Sequence, residues 1–221
     1  QQIINEVNPV ISHYEDSLND RKINEEDFTE EEFEDFVIDP TKEKLNEVLF
    51  LTKNGITIIE DFIKNNSNKD YNNRISDLYD YILMLNYVPN LHDISIPVLD
   101  ENHQPTKIRR TRKGDYRVVS LRMNNQEFGI EKPLYLIISA GIKSGEDTLY
   151  DYINSSKIQN LVNDYIENIR RTLINIDNEN ISDEEKNKKK ESYIKALFKN
   201  NIEMYEASID RLKSQFERSM N

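Results

Sequence analysis

The amino-terminal part of the chain carries apolar residues at helical spacing. They recur at intervals of three and four across 3–18, although Pro9 interrupts the run. Thr29 and Glu32 fit the pattern of a capping box, in which each residue satisfies a backbone N–H of the other. The sequence therefore predicts a first helix over 3–18 and a short one over 30–37.

The region between residues 40 and 90 also shows mainly helical spacing. Pro40 suits the first turn of a helix, and the apolar residues after it predict a helix that stops at Asn54 and Gly55. Two more helices are predicted over 56–63 and 75–85. The polar tract between them, 65–73, predicts a loop.

From residue 93 the pattern becomes an alternation of β-branched or aromatic residues with polar ones, which is typical of strands. Pro97 cannot donate a ladder hydrogen bond, so it predicts an edge position for the first strand. Gly114 and Asp115 predict a turn that makes the second and third strands an antiparallel hairpin. The predicted strands cover 94–99, 106–112 and 116–123. The nearly all-apolar run 134–140 predicts either a buried strand or the start of a helix, and we favour a fourth strand.

Helical spacing returns after Gly141. Ser144 and then Ser155 or Ser156 stand at positions suited to N-caps of two helices. Ser182 and Glu185 form a capping box for a last helix over 183–219, which would be about 55 Å long. Its apolar residues follow heptad spacing and predict a packing seam, against either the preceding helix or another subunit. The seam residues are Ile194, Phe198, Ile202, Tyr205, Ile209, Leu212 and Phe216.

These elements together predict a helix-dominated α+β fold. It would contain N-terminal helices, a small central antiparallel sheet with a projecting basic hairpin, and a long C-terminal helical hairpin. Three regions are predicted: an acidic helical region over 1–90, a small β region over 91–142 and a helical hairpin over 143–221. Only 37% of the 221 residues are hydrophobic and 32% are charged, which favours a thin, elongated or subunit-buried fold.

Charge is distributed unevenly along the chain. The formal net charge is −12, and residues 1–50 alone carry 15 acids and 4 bases. A short segment, 105–123, is strongly basic, with Asp115 as its one acid. We predict that its cations form either a subunit interface or a phosphate contact, since both rest on charge complementarity. These cations are Lys107, Arg109, Arg110, Arg112, Lys113, Arg117 and Arg122.

The sequence contains no motif for several kinds of catalytic or metal-binding site. Without cysteine there is no disulfide, thiolate nucleophile or thiolate metal ligand. The three histidines have no partner at metal-binding spacing, so no metal site is predicted. The glycine-containing segment 139–148 lacks the residue order of a phosphate-binding loop, and no nucleophile elbow occurs. The sequence therefore predicts a non-enzyme without cofactors.

The function predicted from these features is a structural subunit of a larger oligomeric assembly, most concretely a ring or head-tail connector of a virus or phage particle. Its partners would be copies of itself and other assembly proteins, with nucleic acid passing nearby. The alternative is a regulatory module that binds nucleic acid through the basic hairpin. No apolar run is long enough to span a membrane and no signal peptide is evident, so we expect a location in the cytoplasm or within a virus particle.

Overall fold

The alternating pattern after residue 93 forms four strands, as predicted. In the computed structural model of the protein, which describes residues 42–66 and 69–219, they join an earlier strand in one sheet. The helices predicted over 3–18 and 30–37 lie outside the described residues. Along the chain the strands are β1 (Glu47–Phe50), β2 (Thr52–Lys53), β3 (Ile56–Thr57), β4 (Ile96–Leu99), β5 (Pro105–Lys113), β6 (Tyr116–Met123) and β7 (Leu134–Ile142).

The helical spacing on either side of the strands forms helices. The mixed α+β composition and the long C-terminal helix are confirmed. The polar tract 65–73, predicted as a loop, includes a single helical turn. The helices are α1 (Ile58–Asn66), α2 (Lys69–Asn72), α3 (Ile75–Met84), α4 (Glu146–Asn154), α5 (Ser156–Asp177) and α6 (Asp183–Ser219), with short 3₁₀ turns at Leu85–Tyr87, Asn125–Phe128 and Lys143–Gly145.

The main sheet has the strand order β1, β7, β6, β5, β4. β1 runs parallel to β7, whereas the other neighbours are antiparallel. The prediction of an antiparallel sheet was therefore wrong for β1, which comes from a stretch predicted as helical. β4, which contains Pro97, lies at an edge as predicted.

The prediction that the basic hairpin projects from the body was wrong. β5 and β6 occupy the middle of the sheet, so each forms hydrogen bonds with a strand on both sides. Val118 and Val119 are adjacent in β6 and point to opposite faces, and both are fully buried. Because two neighbouring apolar residues need cover on both faces, β6 is placed inside the protein despite its charge.

Residues 47–50 form strand β1 and not part of the helix predicted after Pro40. The reason lies at Asn54 and Gly55, whose φ angles of 53° and 80° form the two-residue turn between β2 and β3. Asn-Gly is the preferred sequence of a hairpin turn with positive φ at both positions. The pair expected to end a helix therefore closes a hairpin, and β1 obtains its hydrogen bonds from β7.

Helices cover both faces of the sheet. On the first face, Phe50 of β1 stacks on Tyr205 of α6 with 4.1 Å between ring centroids, and Tyr205 stacks on Tyr79 of α3 at 4.6 Å. On the second face, α1 and α4 pack on β7. There Gly141 lies close to Phe62 of α1, where a larger residue would have little room.

The N-caps of α5 and α6 are those predicted from the sequence. The Ser155 hydroxyl accepts a hydrogen bond from the Ile158 backbone N–H at 3.4 Å at the start of α5. Ser182 and Glu185 form the predicted capping box, with mutual hydrogen bonds of 3.2 and 3.4 Å. Ser144 lies in a 3₁₀ turn instead, and the N-cap of α4 is Gly145, which offers no side-chain hydrogen bond.

The seam of α6 packs within the chain. Its buried face also includes the polar residues Asn201 and Ser208. The first part of α6 lies along α5, where Lys190 pairs with Asp177 at 2.9 Å. In the seam, Tyr205, Leu212 and Phe216 are buried, and Ile194, Phe198, Ile202 and Ile209 are half-buried against the core. Tyr205 packs on β1 and α3, which neither alternative had named.

Residues of all three predicted regions contribute to one hydrophobic core. Phe50, Val118 and Leu212 belong to the same buried cluster although they come from the first, second and third region. Within 42–66 and 69–219, no helix has both the length and the hydropathy that crossing a bilayer requires.

Candidate functional site

The seven cations proposed as an interface or phosphate contact lie on β5 and β6, where alternation sends them to both faces of the sheet. Arg109, Arg110 and Arg117 are among the buried polar residues, with 6%, 8% and 3% of their surface exposed. Lys107, Arg112, Lys113 and Arg122 are intermediate in exposure. The structure therefore brings the predicted residues together, but on interior strands of the sheet and not on a projecting hairpin.

On the second face, one carboxylate serves two arginines. Glu146, in the first turn of α4, accepts a hydrogen bond from Arg117 Nε at 2.8 Å and lies 3.5 Å from an Arg110 terminal nitrogen. Arg110 also donates to the Tyr150 hydroxyl at 2.7 Å, and burial raises the pKa of Tyr150. Because the guanidinium groups are buried, removing the Glu146 carboxylate would be costly.

On the first face, Arg109 and Arg122 lie close to main-chain carbonyls. Arg109 donates to the Ser95 carbonyl at 2.7 Å, and Arg122 lies over the Tyr135 ring at 5.1 Å and within 3.4 Å of the Leu134 carbonyl. A phosphate could reach a guanidinium as buried as Arg109 only if the surrounding loop opened. The phosphate-clamp alternative stays a prediction for the four cations that are intermediate in exposure.

His92 lies in the loop between α3 and β4, beside these two arginines. Burial, Arg109 and Arg122 outweigh Asp93 and lower the pKa of His92 from 6.5 to about 4. Between pH 6.5 and 4 the unfolded chain therefore binds a proton at this residue that the folded chain does not. Folding stability contributed by neutral His92 is present above pH 6.5 and is lost as the pH falls toward 4.

This gives a pH-dependent prediction for His92→Gln. As the pH falls from 7.5 to 5, the free energy of unfolding of the native chain should decrease more than that of the variant, because only the histidine titrates. Urea unfolding at the two pH values measures this shift. A constant difference between the two pH values for His92→Gln would disprove the assignment.

A groove lies beside β1, and we call it the β1 groove. It encloses about 690 Å³ between the end of α3, the middle of α6 and the outer edge of β1. Its floor and walls are mainly apolar, and charged side chains stand at its margin. The lining residues are Lys44, Glu47, Val48, Phe50, Asp80, Leu83, Asn86, Tyr87, Phe198, Lys199, Asn201, Ile202 and Glu206.

The β1 groove follows a sheet edge that α6 covers only in part. The backbone N–H groups of Glu47 and Leu51 bond to β7, so alternation directs those of Val48 and Phe50 outward. At Phe50 the Asn201 side chain acts as a strand substitute, accepting from Phe50 N at 2.7 Å and donating to Phe50 O at 2.9 Å. Beside it, the edge at Val48 lines the groove.

The β1 groove is suited to binding a polypeptide surface. Leu83, Phe198 and Ile202 present half-buried apolar surface, and the charges around them are of both signs. An apolar centre with a polar margin is the usual arrangement of a protein–protein interface. None of its residues is a histidine, and among residues 42–66 and 69–219 no group of three acids or histidines could hold a metal ion.

Three features of these sites are not predicted from the sequence. Val48 and Phe50 were assigned to a helix, although the Asn-Gly pair that follows them favours a hairpin. Glu146 has no sequence signal that links it to the basic strands. Asn201 was not singled out, although a polar residue between heptad apolar positions is a known sign of a specific contact.

No protein-family model matches the chain, and the comparisons with curated proteins and with solved structures find no match either. The fold, the buried arginines and the β1 groove are therefore the grounds on which a function can be inferred.

Proposed function

We propose that the chain is a non-catalytic structural subunit of a larger assembly and that a second copy of the chain packs in its β1 groove. The observation that carries this proposal is the apolar groove along the edge of β1, with about 690 Å³ between α3 and α6. An apolar groove of this kind gains free energy when a complementary surface excludes water from it.

The charges around the β1 groove favour another copy of the same chain as the occupant. Lys44 and Lys199 stand at its margin together with Glu47, Asp80 and Glu206. In a two-fold contact a surface meets itself, so a margin of a single sign would repel its copy. A margin that carries both signs can pair each lysine with an acid of the partner.

The long helix supports the same proposal. α6 has 37 residues, which corresponds to about 55 Å. Its C-terminal part packs on α1, α3 and the sheet, whereas its first turns lie along α5. A two-helix extension exposes much surface for its mass, and Ile174 on α5 is 55% exposed. A neighbouring subunit would cover such a surface.

The ring or head-tail connector of a virus particle remains the more specific prediction from the sequence. A two-fold contact through the β1 groove closes at two copies, whereas a ring requires a head-to-tail contact between different surfaces. The number of copies in the assembly therefore distinguishes the two arrangements.

We expect Ile202→Glu to abolish self-association, because it places a carboxylate in the apolar centre of the contact. Leu99→Glu, an exposed residue of β4 at the opposite edge of the sheet from β1, is the matched control and should associate like the native chain. Light scattering coupled to size-exclusion chromatography measures the mass, and circular dichroism confirms that both variants are folded.

A second variant keeps the test decisive if Ile202→Glu weakens the fold. Lys199 is exposed at the margin of the groove, so Lys199→Glu leaves the core intact and should weaken association about tenfold through lost charge pairing. Unchanged association in folded Ile202→Glu and in Lys199→Glu would show that the β1 groove is not the contact.

A further inference from the structure

Leu45 is an exposed apolar residue just before β1, an edge strand of the main sheet. Its side chain is 45% exposed, and it is not one of the residues that line the β1 groove of its own chain. A single exposed leucine is common on protein surfaces, so its surroundings decide what it indicates. Lys44 and Glu47, which lie on either side of it in sequence, do line the groove, so Leu45 stands directly beside it.

The backbone at Leu45 is fixed to the body of the protein. The N–H groups of Leu45 and Asn46 both donate to the Asn86 carbonyl, at 2.8 and 3.0 Å. The buried Asn46 side chain donates to the Leu85 and Val88 carbonyls, each at 2.8 Å. These hydrogen bonds hold in place a backbone whose apolar side chain stays exposed. A contact residue that is positioned before binding loses little conformational entropy on binding.

Several charged residues at the margin of the β1 groove have no ion-pair partner within 42–66 and 69–219. They are Lys44, Lys199, Asp80 and Glu206. Lys44 precedes Leu45, whereas Asp80 and Glu206 belong to α3 and α6. A Leu45 side chain that enters the groove of another copy brings Lys44 close to these acids. The charges therefore complement the apolar contact.

Leu45 and the β1 groove lie close enough together to belong to one two-fold contact. Val48 of the groove follows Leu45 by three residues, so their Cα atoms are at most about 11 Å apart. In a two-fold contact, each of two different features on one copy meets the other feature on its partner. An axis between Leu45 and the groove therefore lets each copy insert its leucine into the other. The groove encloses about 690 Å³, which is room for this side chain and the backbone beside it.

We infer that Leu45 of one copy inserts into the β1 groove of a second copy, and that the second copy returns the same contact. Leu45 packs against Phe198 and Ile202 in the apolar centre, and Lys44 pairs with an acid at the margin. The inference rests on the proposed function, because it names the residue that fills the groove. It makes association depend on a side chain that lies outside the groove.

Leu45→Lys in the full-length chain tests the inference without changing the groove. Leu45 is exposed, so the substitution should leave the fold intact while it places an ammonium group in the apolar centre of each contact. Sedimentation equilibrium should show association about 100-fold weaker than that of the native chain. Leu99→Lys is the control, because Leu99 is 49% exposed and lies on β4 at the opposite edge of the sheet. This control should associate like the native chain.

A mixture of two variants tests whether the contact is reciprocal. Ile202→Glu blocks the groove and keeps the leucine, whereas Leu45→Lys keeps the groove and removes the leucine. In a mixed pair, one native leucine enters one native groove, and the introduced lysine meets the introduced glutamate in the other. Equal amounts of the two variants should therefore associate about tenfold more tightly than either variant alone. Native mass spectrometry should show pairs that contain one copy of each.

The outcomes separate this inference from the proposed function. If the native chain associates and Ile202→Glu prevents it, but Leu45→Lys associates like the native chain, the groove is the contact and Leu45 does not fill it. A mixture that associates no more tightly than either variant alone would also overturn the inference. A native chain that does not associate at all would contradict both the inference and the proposed function.

Discussion

Glu146→Gln should lower the free energy of unfolding by about 3 kcal/mol, because it leaves two buried guanidinium groups without their shared carboxylate. The side chains of Arg117 and Arg110 are only 4% and 10% exposed, so water cannot replace the lost charge. Glutamine keeps the size of the side chain, which makes charge the variable. Urea unfolding followed by circular dichroism measures the change.

Asp147→Asn is the matched control for Glu146→Gln. Asp147 is the next residue of α4 and is exposed, so losing its charge should cost only about 0.5 kcal/mol through the helix dipole. If Glu146→Gln were as mild as Asp147→Asn, Glu146 would not be what stabilises the arginines.

Tyr205→Ala should be at least as destabilising, by about 4 kcal/mol, because it removes the middle ring of the stack that joins α6 to the sheet. Tyr205 is 1% exposed, lies between Phe50 and Tyr79, and donates a hydrogen bond to the Tyr79 carbonyl at 2.6 Å. Tyr205→Phe keeps the ring and loses only this hydrogen bond, so we expect a loss of about 1 kcal/mol.

Tyr193→Ala tests whether the two halves of α6 contribute differently to the free energy of unfolding. Tyr193 lies in the part of α6 that runs along α5 and is half-buried, so its loss should cost about 1 kcal/mol. Equal losses for Tyr193→Ala and Tyr205→Ala would contradict the view that the C-terminal half of α6 anchors the helix on the body. Thermal unfolding and urea unfolding should rank the three variants alike.

The elements that could be predicted from sequence are those whose signals are local. β6 follows an alternating pattern between a Gly-containing turn and a 3₁₀ turn, and its bounds in the structure are those predicted. α6 begins at the capping box of Ser182 and Glu185 and runs without a break to Ser219. In both cases neighbouring residues supply the stabilising contacts.

β1 could not be predicted because its partner is distant in sequence. Glu47 pairs with Leu134, and a strand of four residues has too few positions to show an alternation. Parallel pairing of this kind depends on tertiary contacts that the local pattern does not contain. The β1 groove, whose floor is Val48 and Phe50, was hidden for the same reason.

The basic residues of 105–123 could also be predicted only in part. The basic residues of 105–123 were correctly recognised as a cluster, but their burial could not be inferred from their charge. Burial depends on Glu146, Tyr150 and Ser95, which meet Arg110, Arg117 or Arg109 only after the sheet and α4 have assembled. A charged segment is usually solvated, so the sequence predicts a hairpin that projects into solvent.

Sedimentation equilibrium of the unmodified full-length chain over a wide concentration range tests the central claim most directly. A structural subunit that packs through its β1 groove should reach a mass that is a whole multiple of 26.2 kDa, with two copies for a two-fold contact and more for a ring. A mass of 26.2 kDa at every concentration, at low and at high salt, would contradict the proposed function.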